Sequence, residues 1–293
     1  MSLRLLSVAL ALPLVVAGML IVAFRGGDER VTVRPRTALF DGHAAFSELR
    51  TEVALGPRPA GSPVSRRLAE RLRRELPRGH FEEIGPTHPG LRNIVGVLPG
   101  RKPAILVGAH YDTKDLPGFV GANDGAGGTA VVLELARVLA RNRHGPELRF
   151  VLFDGEESPR GTPDSRFALR GLRGSKAYAR RHASELRAMI LVDFVAQRGL
   201  SLPREAGSDP ALWGRLRASA RRVGVGAAFP ATENSEIYDD HTPFARLGVP
   251  SIDLIDFDFP CFHRPCDDLG AVSERSLDTA GEALAQLLRS YTR

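Results

Sequence analysis

Apolar positions along this chain fall into short unbroken runs, and stretches of helical spacing separate them. Phe150-Val151-Leu152-Phe153 is apolar at every position and stops at Asp154-Gly155-Glu156-Glu157. A run of that kind buries both faces and reads as a strand of a parallel sheet. Similar runs at 92–98, 104–109, 189–192 and 249–255 predict further strands. Helical spacing covers 40–55, 129–139, 173–186, 209–223 and 276–291. Ser62-Pro63 predicts another helix start, with Ser62 as N-cap and Pro63 in the first turn of a helix reaching about Leu76. Residues 118–128 are rich in glycine and read as a loop. Strands alternating with helices predict an α/β fold in three layers, a mostly parallel central sheet covered on both faces.

The first residues break this pattern. After Arg4, Leu5 to Phe24 carries no charge. A helix of that length rises about 30 Å, enough to cross a bilayer's hydrocarbon core. Residues 1–24 are therefore expected to form a membrane anchor, with a cleaved signal peptide as the alternative. Residues 25–36 read as a polar tether and 37–293 as one folded domain, anchored outside the cytoplasm or secreted. The formal net charge of +6 is nearly all arginine, since Lys102, Lys114 and Lys176 are the only lysines. The arginines are spread over helix faces without interleaved aromatics, which argues against nucleic-acid binding. Two cysteines, Cys261 and Cys266, exclude a disulfide-rich scaffold. They flank His263, and spacing alone leaves a bridge between them open.

Chemistry gathers where the predicted strands end. His110, Asp112, Asp124, Glu156, Glu157, Asp193 and His263 all lie at or just past an apolar run. In open α/β sheets ligands bind at the carboxyl ends of strands. Imidazoles and carboxylates without a thiolate set suit a catalytic zinc ion. Singly, each has a plainer explanation: a core histidine, a helix cap at Asp124, a turn former at Asp193. Their joint placement favours the metal. A dinucleotide fingerprint, a P-loop, a His-Glu-x-x-His helix and a Gly-x-Ser-x-Gly elbow are all missing from the sequence.

Five blocks carry a family resemblance: Gly108-Ala109-His110-Tyr111-Asp112-Thr113, Phe119 to Asp124, Phe153-Asp154-Gly155-Glu156-Glu157, Asp239-Asp240-His241-Thr242-Pro243-Phe244 and Phe262-His263. With them the chain resembles the zinc-dependent exopeptidases that include metallopeptidase family 28 and the glutaminyl-peptide cyclotransferases. The resemblance implies a phosphorylase/hydrolase-like fold. It implies zinc held by Asp124, Glu157 and His263, with His110 and Asp193 completing a second position. One ion is implied for a cyclotransferase and two for an aminopeptidase. It implies that Asp112 orients His110, that Glu156 shuttles protons with Asp239 beside it, and that Phe262 lines the pocket. The implied substrate is the N-terminus of a peptide or protein.

Two reactions suit such a site: cyclisation of N-terminal glutamine to pyroglutamate, or hydrolysis of the first peptide bond. The Phe153–Glu157 block and the doubled acid at Asp239-Asp240 lean toward the cyclotransferases, although capping of a helix near His241 would also explain Asp240. Three departures pull the other way. Phe262 stands where a tryptophan is typical, Asp253 where a histidine is common, and the loop after Glu157 lacks a pocket tryptophan. Trp213 falls on a helix and reads as packing. A non-catalytic binding domain would have lost a ligand or the shuttle acid, and none is missing.

Overall fold

The computed structural model describes residues 34–141 and 145–291. The expected anchor, 1–24, and most of the tether lie outside the described residues. No helix among the described residues is long and apolar enough to cross a membrane.

The strands are β1 (His80–Glu83), β2 (Arg92–Leu98), β3 (Arg101–His110), β4 (Pro146–Phe153), β5 (Leu186–Val192), the short β6 (Arg204–Glu205) and β7 (Glu233–Asn234), and β8 (Ser251–Leu254). The main sheet runs β1-β2-β4-β3-β5-β8. β4, β3, β5 and β8 are parallel to one another, whereas β2 lies antiparallel to β4 and β1 antiparallel to β2. The expectation of a mostly parallel sheet is met. The run 150–153 is parallel on one side only, since an apolar strand reads the same beside either kind of neighbour. β1 was not anticipated: three of its four residues are polar and none is fully buried, as befits an edge.

The main helices are α1 (Gly42–Val53), α2 (Pro63–Glu75), α3 (Ala126–Leu139), α4 (Phe167–Arg170), α5 (Arg173–His182), α6 (Pro210–Arg222), α7 (Thr242–Ala245) and α8 (Glu274–Ser290). Side chains alternate across each strand. Ile105, Val107 and Ala109 of β3 join Leu49, Leu72, Leu135, Leu216 and Leu284 from α1, α2, α3, α6 and α8 in the larger core. Ala104 and Leu106 point to the other face, where Phe153, Tyr178 and Phe244 pack from β4, α5 and α7. Trp213 is buried in the larger core, as expected of a packing residue.

Two boundaries differ from expectation in ways that matter to the site. α3 starts at Ala126, inside the glycine-rich stretch. Gly128 lies so close to the sheet that a Cβ there would stand 2.1 Å from the Val192 carbonyl. Those glycines permit close packing, which composition alone cannot distinguish from a loop. α7 has no side-chain cap; its Thr242 N–H donates to the Asp239 main-chain carbonyl at 2.8 Å. Capping therefore does not account for the side chains of Asp239 and Asp240.

Candidate metal centre

Parallel strands deliver their last residues to one edge of the sheet. β3 ends in His110, paired with Phe153 of β4, and β5 runs out into Asp193. Nδ1 of His110 lies 3.1 Å from the Asp112 main-chain carbonyl. That contact aims Nε2 at Asp124 Oδ1, 3.2 Å away, and at Asp193 Oδ1, 3.6 Å away. On the other side of Asp124, His263 Nε2 stands 3.5 Å from its Oδ2 and 3.1 Å from Glu157 Oε1. Two triads result, His110–Asp124–Asp193 and Asp124–Glu157–His263, and within each the donor atoms lie within 4.8 Å of one another.

This donor set fits zinc. It offers imidazole nitrogen and carboxylate oxygen in the mixture that catalytic zinc takes. His110 Nε2 and Asp124 Oδ2 are buried without a hydrogen-bond partner, a costly arrangement unless a cation completes it. The fold thus brings together all five residues expected from sequence.

Asp112 does contact His110, but through its main-chain carbonyl rather than its side chain. Its carboxylate is 3.7 Å from His110 Nδ1, farther than its own main-chain oxygen. Instead it accepts the N–H groups of Gly155, Glu156 and Glu157 at 3.1, 3.2 and 3.3 Å. Three converging amides are a stronger attraction for a carboxylate than one imidazole edge. Asp112 therefore holds the turn that carries both glutamates.

Those glutamates have opposite proton affinities. Burial, then the charge of Glu157, pushes Glu156 well above the usual carboxylate range. Burial works on Glu157 too, but the bond and charge of His263, with Lys114 beyond, bring it below that range. Burial likewise raises Asp193 to about 7 against the pull of His110, and it raises Asp239 against the pull of His241. An ionised carboxylate suits a ligand, and one with a raised proton affinity suits acid–base work.

Glu156 and Asp239 border a cavity of about 310 Å³ together with Asp124, Glu157, Asp193 and His263. Its walls are largely apolar, with Phe167, Phe194, Ile255, Phe257 and Phe262 among them. Phe262 also stacks on the His263 ring at 3.8 Å. His263 has a left-handed backbone, φ 51°, in a loop closed by a disulfide between Cys261 and Cys266. Asp267, next along, accepts the N–H groups of Asn123 and Asp124 at 2.7 and 3.1 Å. Sequence reasoning missed Asp267, and also Lys114, whose Nζ lies 3.0 Å from Glu157 Oε2. Lys114 sits two residues past Asp112 and could have been noticed; Asp267 has no local signal.

The profile of Peptidase family M28 matches residues 93–288, the stretch that holds every residue of this centre. The chain belongs to peptidase family M28. Two curated relatives show how the family divides. Aminopeptidase YwaD of Bacillus subtilis (strain 168) is 29% identical over 67% of this chain and 44% of its own length. The glutaminyl-peptide cyclotransferase of Bos taurus is 30% identical over 68% of this chain and 64% of its own. The chain thus spans less than two thirds of either relative. The solved glutaminyl cyclase of an Acidobacteriales bacterium superimposes with a TM-score of 0.77 at 28% identity, covering 86% of this chain and 95% of that one. Membership of M28 and both kinds of relative support an enzyme.

Proposed function

We propose that the chain is a zinc-dependent glutaminyl-peptide cyclotransferase, converting the N-terminal glutamine of a peptide to pyroglutamate with release of ammonia. The likeness to the solved Acidobacteriales glutaminyl cyclase, which runs through nearly all of that chain, supports this reading most. Asp124, Glu157 and His263 would hold the ion, which when bound supplies Lewis acidity to the side-chain amide carbonyl. Glu156 would accept a proton from the α-amine as its nitrogen bonds to the amide carbon. The same carboxyl would return that proton to the amide nitrogen as the old bond breaks and ammonia leaves. Asp239, buried beside the same cavity, would raise the proton affinity of Glu156 and so strengthen it as the base that takes that proton. The aromatic walls would exclude water, the nucleophile that competes with the amine.

One observation favours a second reading. His110 and Asp193 form a complete triad with the shared Asp124, as a two-ion aminopeptidase requires. The purified protein should be assayed on glutaminyl peptides and on amino-acid anilides, and its zinc counted. Ammonia with pyroglutamate and one zinc per chain is the expected result. Free amino acid with two zinc ions per chain would replace the cyclotransferase by the peptidase.

We also propose that 1–24 anchors the domain outside the cytoplasm. The disulfide supports an oxidising compartment. Alkaline extraction should leave the protein in the membrane pellet; a mature chain starting after Ala23 would remove the anchor.

A further inference from the structure

The turn Gly155-Glu156-Glu157 carries the proposed proton shuttle and a proposed metal ligand, and it belongs to no helix or strand. Its main chain is nevertheless fully engaged. On one side, the three amides donate to the Asp112 carboxylate. On the other, the Glu156 carbonyl accepts the Leu172 N–H at 2.8 Å, and the Gly155 carbonyl accepts the Arg173 N–H at 2.9 Å. The Arg173 guanidinium then adds two bonds, Nε to the Gly155 carbonyl at 3.1 Å and Nη2 to the Glu157 carbonyl at 2.7 Å. One edge of the guanidinium fork thus spans the carbonyls either side of Glu156.

Two backbone features show that the chain accommodates this grip. Gly155 has φ +73°, and a Cβ there would stand 2.8 Å from Arg173 Nε. A side chain at 155 would therefore displace the fork. Leu172, buried and without a glycine's freedom, is held at φ 54° immediately before Arg173. Left-handed backbone at such a residue is disfavoured and persists where surrounding contacts enforce it.

We propose that Arg173 is a positioning residue for the reaction, fixing the direction in which Glu156 presents its carboxyl by clamping the main chain on both sides of it. The role rests on Glu156 being the proton carrier of the proposed function. Geometry matters here as well as charge. A planar fork offers two donors at a fixed spacing, whereas a lysine ammonium is a point charge that cannot span both carbonyls with that geometry. Asp112 and Arg173 act as a pair, an anion on the amides and a cation on the carbonyls.

Arg173→Ala and Arg173→Lys, made in the full chain and loaded with zinc, test the clamp. Both should lower kcat by about 10- to 100-fold, as the loss of an outer contact at a catalytic site does, with KM and zinc content unchanged. Amide exchange should accelerate in the peptide covering 154–158 and stay at the wild-type rate in β3 and β5. Guanidinium chloride at low millimolar concentration should restore part of kcat to Arg173→Ala and nothing to Arg173→Lys, whose side chain still fills the site. Wild-type exchange in 154–158 would overturn the proposal, and so would exchange that rises throughout the sheet, which would mark a general loss of structure. Should Arg173→Ala fail to fold, the Lys variant carries the same comparison. If the wild-type protein turns over neither glutaminyl peptides nor anilides, the proposed function falls, while the exchange measurement still decides whether Arg173 holds the turn.

Discussion

Glu156 and Glu157 are neighbours in the chain and lie in the same buried turn, yet their surroundings give them opposite proton affinities. The division can be tested one atom at a time. Glu156→Gln should keep zinc, because Glu157, Asp124 and His263 are untouched, and should lose turnover by about 10²- to 10⁴-fold. Measured zinc content and kcat decide it; surviving turnover would mean another group moves the proton. Asp154 gives a pH test away from the ion. Burial, then the charge of Asp112, raises its carboxyl to about 7. An unfolded aspartate titrates near 4, so between roughly pH 4 and 7 unfolding releases the proton and stability falls as pH rises. Denaturant unfolding of zinc-free protein should show that fall, and Asp154→Asn should flatten it. An unchanged slope would exclude Asp154 as its source. Residues of this kind were partly visible in the sequence. Acids and histidines announce themselves by ending apolar runs. Arg173 and Asp267 do not, because they act on main-chain atoms contributed by sequence-distant segments, and no local pattern encodes that.

Elements were read well where periodicity is long and less well where packing overrides composition. α2 starts at Pro63 with Ser62 accepting the Ser65 N–H, as its cap signal indicates. The start of α3 was obscured because glycine usually signals a break, whereas here it lets the helix touch the sheet. Gly128→Ala measures that contact. The added methyl would press on the Val192 carbonyl, one residue before Asp193, and no flexible side chain is there to yield. A loss of about 1–3 kcal/mol is expected, read by denaturant unfolding, together with weaker metal binding. If stability is retained, the helix has room to shift. β1 was invisible for another reason: a four-residue element holds too few positions to display a period.

At the scale of the whole molecule, the centre ties together the parallel strand ends, the start of α3 and the loop after β8. Metal binding and folding should therefore be coupled. With free zinc about 100-fold above its dissociation constant, the gain in unfolding free energy should be about 2.7 kcal/mol. Denaturant curves with zinc and with a chelator measure it, and coincident curves would mean that these side chains hold no ion. The disulfide beside His263 also bears on how the protein is prepared. The six-residue segment it closes carries His263, and Asp267 follows directly, so a thiol reductant left in a purification buffer would loosen one donor and the support of another. Reduced samples should surrender zinc to a coloured chelator about 10-fold faster or more, and oxidised glutathione should reverse the effect. Two laboratories using different buffers would then report different specific activities for the same polypeptide, and the discrepancy would trace to one sulfur–sulfur bond.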